Sequence, residues 1–250
     1  MLLLRRTALI CALMLASCSR APGLERLAPG ETGRVAEVRS GDVLALDGGL
    51  IVRLAGIETP GRGDAYAEDS RVALMRLALG RKVQLLYGGA RRDRYGRALA
   101  QVKLIDGGRW LQGALLRAGA ARVRTWSDNR AMAAPMLEAE AYARNRRLGL
   151  WALQDDRVLI PSEAARADGF QIVEARVRAL DLEGDDARLE LGDGFSAVID
   201  AKAIGDFETA GKWPRRLVGR VVRLRGPIRW GAGGPAMRLD HPEQVELLNG

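Results

Sequence analysis

The chain has 250 residues, a formal net charge of +8, two cysteines and one histidine. Both cysteines, Cys11 and Cys18, stand near the N-terminus, so the body carries no disulfide framework, thiolate nucleophile or cysteine metal site. His241 alone builds no zinc site, and serine-hydrolase chemistry would have to rest on it; standing before Pro242, it reads as a turn residue.

In chain order, Arg5 and Arg6 precede an apolar run over 7–15 that ends in Leu15-Ala16-Ser17-Cys18. A basic start, a short apolar stretch and a small-residue cleavage site read as a secretory signal. The run falls short of the roughly 20 apolar residues a permanent membrane span needs. Leu-Ala-Ser-Cys resembles the bacterial lipoprotein box, which implies lipidation at Cys18, removal of the segment before it, and a periplasmic protein anchored to the membrane. An ordinary signal peptide that contains Cys18 is the alternative. Residues 19–30 read as a tether.

Alternating apolar residues predict strands over 33–39, 43–46 and 50–55, with Asp47-Gly48-Gly49 as a tight turn. Helical spacing over 67–79 places Val72, Met75, Ala78 and Leu79 on a buried face, and Gly80 supplies the stop. Strands follow over 82–87 and 97–105, then helices over 110–118 and 131–146, and Leu148-Gly149-Leu150-Trp151 closes the unit. This order describes an α+β, mainly β, domain with a small barrel over 31–151. Residues 152–169, with Pro161, read as a linker. Strands at 172–180, 187–191, 197–199, 218–224 and 245–248, a helix near 201–207 and a glycine hairpin at 231–234 suggest a second small barrel of the OB type over 170–250.

The first unit carries 21 Lys+Arg against 13 Asp+Glu, whereas residues 170–250 carry 12 against 13. A basic domain beside a neutral one points to an anionic partner such as nucleic acid for the first. Because 35 of the 39 basic residues are arginine, compositional bias is the competing explanation.

Two stretches carry the chemistry: Val52-Arg53-Leu54-Ala55-Gly56-Ile57-Glu58-Thr59-Pro60 and Asp93-Arg94-Tyr95-Gly96-Arg97-Ala98-Leu99-Ala100. With Ser40-Gly41-Asp42 and the closing Gly-Leu-Trp, they resemble the staphylococcal nuclease (thermonuclease) domain over about 33–151. The resemblance implies a five-stranded OB barrel with three helices that cleaves DNA and RNA with calcium. It implies Asp42, Glu58 and the carbonyl of Thr59 as metal ligands, and Arg53 and Arg97 as the phosphate-gripping arginines. Calcium takes several hard oxygen ligands, and guanidinium groups pair bidentately with phosphate. Arg92, Arg94 and Tyr95 are candidate nucleic-acid contacts; a solvated loop and a packing tyrosine are the alternatives.

The departures from the family pattern concern catalysis. Ser40 and Val43 stand where a carboxylate and a hydroxyl are usual, Glu58 replaces an aspartate, and Gly61 occupies the position of the glutamate proposed to position the attacking water. Losing a positioned base typically costs about 10²–10⁴-fold in rate. Asp64 is the candidate substitute, with helix capping as its other reading; Glu68 and Asp69 suit a helix's first turn. Trp126 and Trp151 read as packing residues, and Arg122, Arg124 and Arg130 as an extension of the basic surface. The expectation is a monomeric nuclease; the alternative is a weakened or inactive module that binds nucleic acid or an envelope protein. The second barrel has a structural, protein-contact or single-strand-binding role.

Overall fold

A computed structural model of the chain describes residues 23–153 and 157–248. Cys18 and the segment read as a signal lie outside the described residues. No helix among the described residues is long and apolar enough to cross a membrane.

The first unit comprises β1 (Ala28–Ser40), β2 (Val43–Leu46), β3 (Ile51–Leu54), β4 (Ile57–Glu58), α1 (Ala67–Ala78), β5 (Lys82–Tyr87), β6 (Ala98–Leu104), α2 (Leu111–Arg117), β7 (Arg122–Val123) and α3 (Ala133–Asn145), followed by a 3-10 turn at Gly149–Ala152. Five strands close a barrel in the order β1-β2-β3-β6-β5. β1 pairs with both β2 and β5, and register shifts at Val35/Glu37 and Val38/Ser40 bend it around the corner. β3 and β6 run parallel, with Arg53 opposite Leu99. Leu44, Leu54, Leu74, Leu85, Leu104 and Leu115 fill the buried interior.

Two expectations for this unit are corrected. The segment assigned to the tether enters the barrel: Leu24 and Leu27 are buried, and Ala28 and Pro29 pair with Tyr87 and Leu86. Its Ala-Pro-Gly composition hides the strand. A Cβ at Gly30 would lie 2.3 Å from the Tyr87 ring, so glycine there admits the aromatic that covers it. The buried face of α1 is Ser70, Leu74 and Ala78, while Leu79 is 45% exposed. Ser70 is missed by an apolar pattern because its hydroxyl donates to the Ala120 carbonyl at 2.7 Å.

The second unit comprises α4 (Pro161–Ala164), β8 (Gly169–Arg176), β9 (Ala179–Glu183), β10 (Asp186–Gly192), β11 (Phe195–Ile199), α5 (Ile204–Thr209), α6 (Pro214–Leu217), β12 (Val221–Gly231), β13 (Gly234–Leu239) and β14 (Val245–Leu248). β8 and β9 are separated only by Val177 and Arg178; β8 pairs with β12 and β9 with β10. Taken as one bent strand, they join the ends of the path β12-β13-β11-β10 into a ring. β11 and β13 run parallel, as β3 and β6 do. The two units therefore share one strand order, the order of an OB barrel, although no sequence repeat links them. β13 and the second half of β12 escaped the sequence reading because Gly226 and Pro227 resemble a break; both remain paired, to Gln171 and Phe170. The stretch read as a linker is not wholly one: Ala164 is buried in the second core and Leu159 bridges to Val173.

The barrels are joined by buried polar contacts. Arg225 of β12 donates from Nη2 to Glu140 Oε2 of α3 at 2.9 Å and to Glu246 at 2.6 Å. Burial alone would push the Glu140 carboxyl up, but the Arg225 guanidinium beside it brings it below the usual carboxylate range. His241, expected in an ordinary turn, is buried at the N-cap of a 3-10 turn (Pro242–Gln244), its Nε2 2.8 Å from Thr125 Oγ1 and its Nδ1 2.5 Å from Asp240.

Candidate functional site

The site forms where the β1–β2 turn, the end of β3, β4 and the loop before β6 converge. Gly41 permits that convergence, since a Cβ there would lie 2.6 Å from Ser70 Cβ and 2.8 Å from Thr59 Cγ2. The turn leaves Asp42 only 4% exposed, accepting a bond from Ser40 Oγ at 2.7 Å and paired with the Arg53 guanidinium. Ser40, read as a lost carboxylate, thus orients the one that remains. Arg53 also donates from Nη2 to the Ile57 carbonyl at 3.3 Å.

Arg97 is aimed by its own motif. Asp93 Oδ1 accepts the Tyr95 and Arg97 backbone N–H groups at 2.9 and 3.0 Å, and its Oδ2 accepts Arg97 Nε at 2.7 Å. Gly96 completes this turn with a φ of 78°. Burial would raise the Asp93 carboxyl, yet the bond from Arg97 and the two backbone bonds hold it below its ordinary value. Tyr95 is 67% exposed, and the Arg94 and Arg97 guanidinium carbons lie 4.9 and 5.2 Å from its ring centre.

Glu58 is placed by a two-residue pairing that the sequence does not announce. β4 lies antiparallel to β7, with Ile57 opposite Val123 and Glu58 opposite Arg122. The next residue, Arg124, forms an ion pair with Glu58. Arg124, read as part of a basic surface, therefore belongs to the same cluster as Arg53, Arg97 and the two carboxylates. Burial draws the Arg53 pKa down to about 10; Glu58 opposes the fall, and the cations Arg97 and Arg124 add to it. Arg53 remains charged at neutral pH.

The other candidates have different surroundings. Asp64 accepts the Gly61 backbone N–H at 2.9 Å, while the Asp64 N–H returns to the Gly61 carbonyl at 3.0 Å, so this carboxylate closes a turn. The helix cap falls on Tyr66, at a φ of 67°. Arg92 turns to the barrel rim, bonded to Tyr87 Oη at 2.9 Å and Glu31 Oε1 at 2.8 Å. Trp126, expected to be packed away, is 47% exposed.

The donor types suit a hard cation: two carboxylates, Asp42 and Glu58, with Thr59 buried beside them. The set is sparse, and no group of three or more His, Cys, Asp or Glu side chains able to hold a metal occurs among the described residues. Calcium takes six to eight oxygens, so most ligands there would be water and phosphate oxygen. Both carboxylates hold arginines, so a cation competes with Arg53 and Arg124 for them.

The family profile described as "Staphylococcal nuclease homologue" matches residues 51–153, which include Arg53, Glu58, Thr59 and Arg97 and leave Asp42 just upstream. Two proteins named "Uncharacterized endonuclease", from Escherichia coli O157:H7 and Escherichia coli, are each 36% identical over 126 residues. The alignment covers 49% of this chain and 78% of theirs. A closed five-stranded barrel, these arginines on its rim and this similarity agree: the chain belongs to the staphylococcal nuclease homologue family.

Proposed function

We propose that the protein hydrolyses phosphodiester bonds of DNA or RNA, as an endonuclease, at the rim of its first barrel. The observation that carries this reading is the convergence of Arg53, Arg97 and Arg124 around Asp42 and Glu58. Fixed guanidiniums stabilise charge that develops on an attacked phosphate, and their own carboxylates hold them in place before substrate arrives. On phosphate binding, Arg53 and Arg97 exchange carboxylate oxygens for phosphate oxygens. Calcium, held by Asp42, Glu58 and the Thr59 carbonyl, would supply Lewis-acid stabilisation of the same charge. The sequence over 5–18 supports a lipid anchor at Cys18, hence work in the periplasm, with the second barrel open to an envelope partner.

A second reading, a binder of nucleic acid without turnover, is favoured by Gly61, which leaves the position without a carboxylate side chain. Incubating the purified protein with single-stranded DNA and RNA, in calcium or in chelator, tests both. Calcium-dependent cleavage that disappears in Arg97→Ala supports the enzyme. Salt-sensitive binding without cleavage supports the binder.

A further inference from the structure

Arg124 faces a second environment beyond Glu58. Its guanidinium carbon lies 4.8 Å from the Trp126 ring centre and 5.1 Å from that of Phe170. Trp126 follows β7 of the first barrel and Phe170 is the second residue of β8 in the second. Together they wall a cleft of about 190 Å³, lined also by Arg225, Arg238 and Gln244. That volume is below the roughly 300–1,000 Å³ of sites that enclose whole small molecules, and it suits one planar ring.

Charge in the cleft is largely spent in pairs. Arg225 holds Glu140 and Glu246, Arg238 pairs with Asp200, and Asp240 bonds His241. What remains is the aromatic surface of Trp126 and Phe170, since Gln244 spends both ends of its amide on Asp240, His241, Arg225 and Arg238. A neutral heterocycle fits such a lining better than an anion. Both neighbours of Arg124 are held from the second barrel, and Val123 by α3 of the first as well. Glu140 Oε1 accepts the Val123 N–H at 2.7 Å, Arg225 Nη1 donates to the Val123 carbonyl at 3.2 Å, and His241 bonds Thr125. The second barrel thereby fixes the one residue shared by the cleft and the phosphate site.

We infer that the cleft seats a nucleobase of the substrate strand, next to the phosphate gripped by Arg53 and Arg97, so that the second barrel completes the substrate site. This inference rests on the nuclease reading of the phosphate site. It assigns single-stranded nucleic acid as the substrate, because a base inside a duplex has both faces stacked and must be extruded to enter.

The test is equilibrium binding of a labelled single-stranded oligonucleotide, followed by fluorescence anisotropy in chelator so that nothing is cut. Trp126→Ala and Phe170→Ala should each weaken binding about 5- to 150-fold, the range for losing one stacked base. The salt dependence should stay as in the parent protein. Arg97→Ala should instead lower the slope of log affinity against log salt by about 0.7, one single-strand phosphate. Parent-like binding by both aromatic variants overturns the cleft and leaves the phosphate site standing. An equal loss with a duplex of the same sequence overturns the single-strand assignment. Failure of the parent protein to bind at all overturns the nuclease reading as well.

Discussion

At the scale of single residues, Gly61 is where the proposed chemistry is most simply tested. Its φ is not in the left-handed region, and a Cβ there meets only the Asp64 side chain, whose Oδ2 lies at 3.1 Å. That oxygen also accepts the Gly61 N–H at 2.9 Å, so a side chain at 61 displaces the Asp64 carboxylate at the cost of one exposed hydrogen bond. Gly61→Glu is therefore expected to fold normally and to raise the cleavage rate by about 10²-fold or more, the scale of a positioned base. Steady-state cleavage of a labelled oligonucleotide checks this, and an unchanged rate would mean that the backbone at 61 does not aim a side chain at the phosphate. Glu31 gives a stability test. The Tyr87 hydroxyl, then Arg92, bring its pKa down from 4.5 to about 2. Because the folded pKa is depressed, this contribution is present above about pH 4.5 and is lost as pH falls through about 2. Tyr87→Phe should flatten the fall in Tm across that window, measured by thermal melts at stepped pH.

At the scale of elements, close backbone approaches explain the closing Gly-Leu-Trp. The Gly119 carbonyl accepts the Leu150 N–H at 2.9 Å, and a Cβ at Gly119 would lie 2.0 Å from the Leu148 carbonyl oxygen, at a φ of 70°. Gly119→Ala should destabilise the protein by more than about 1 kcal/mol, from the φ penalty alone, as read by urea unfolding. Most elements were legible because β2 is a short wholly buried apolar run, while strands β3, β5 and β6 and helices α2 and α3 bury alternating or helically spaced residues. The motifs also gave Asp42, Arg53, Glu58 and Arg97, which the fold brings together. What stayed hidden depends on tertiary register. Two residues have no periodicity, so the β4–β7 pair is invisible in sequence, and with it the partnership of Arg124 with Glu58. Ser70 looks polar until its bond to Ala120 is seen, and His241 looks like a turn until the second barrel packs against Thr125.

At the scale of the molecule, two barrels of one topology are locked by a buried ion pair. Removing one partner of such a pair typically costs about 3–5 kcal/mol, because the other charge is left uncompensated. Glu140→Ala leaves Arg225 still paired with Glu246, so it should lower stability by about 3 kcal/mol, the low end of that range, in denaturant melts. It should also free Val123, and with it Arg124, so activity falls even where the protein remains folded. Retained activity in the folded variant would show that the second barrel does not tune the site. The most direct measurement is single-turnover cleavage of single-stranded DNA in calcium by the parent protein and by Arg53→Ala. The arginine site requires cleavage by the parent and a loss of about 10²-fold or more in the variant, the scale of removing one preorganised donor to the developing charge. Equal rates in the two proteins, or no cleavage by the parent, would contradict it.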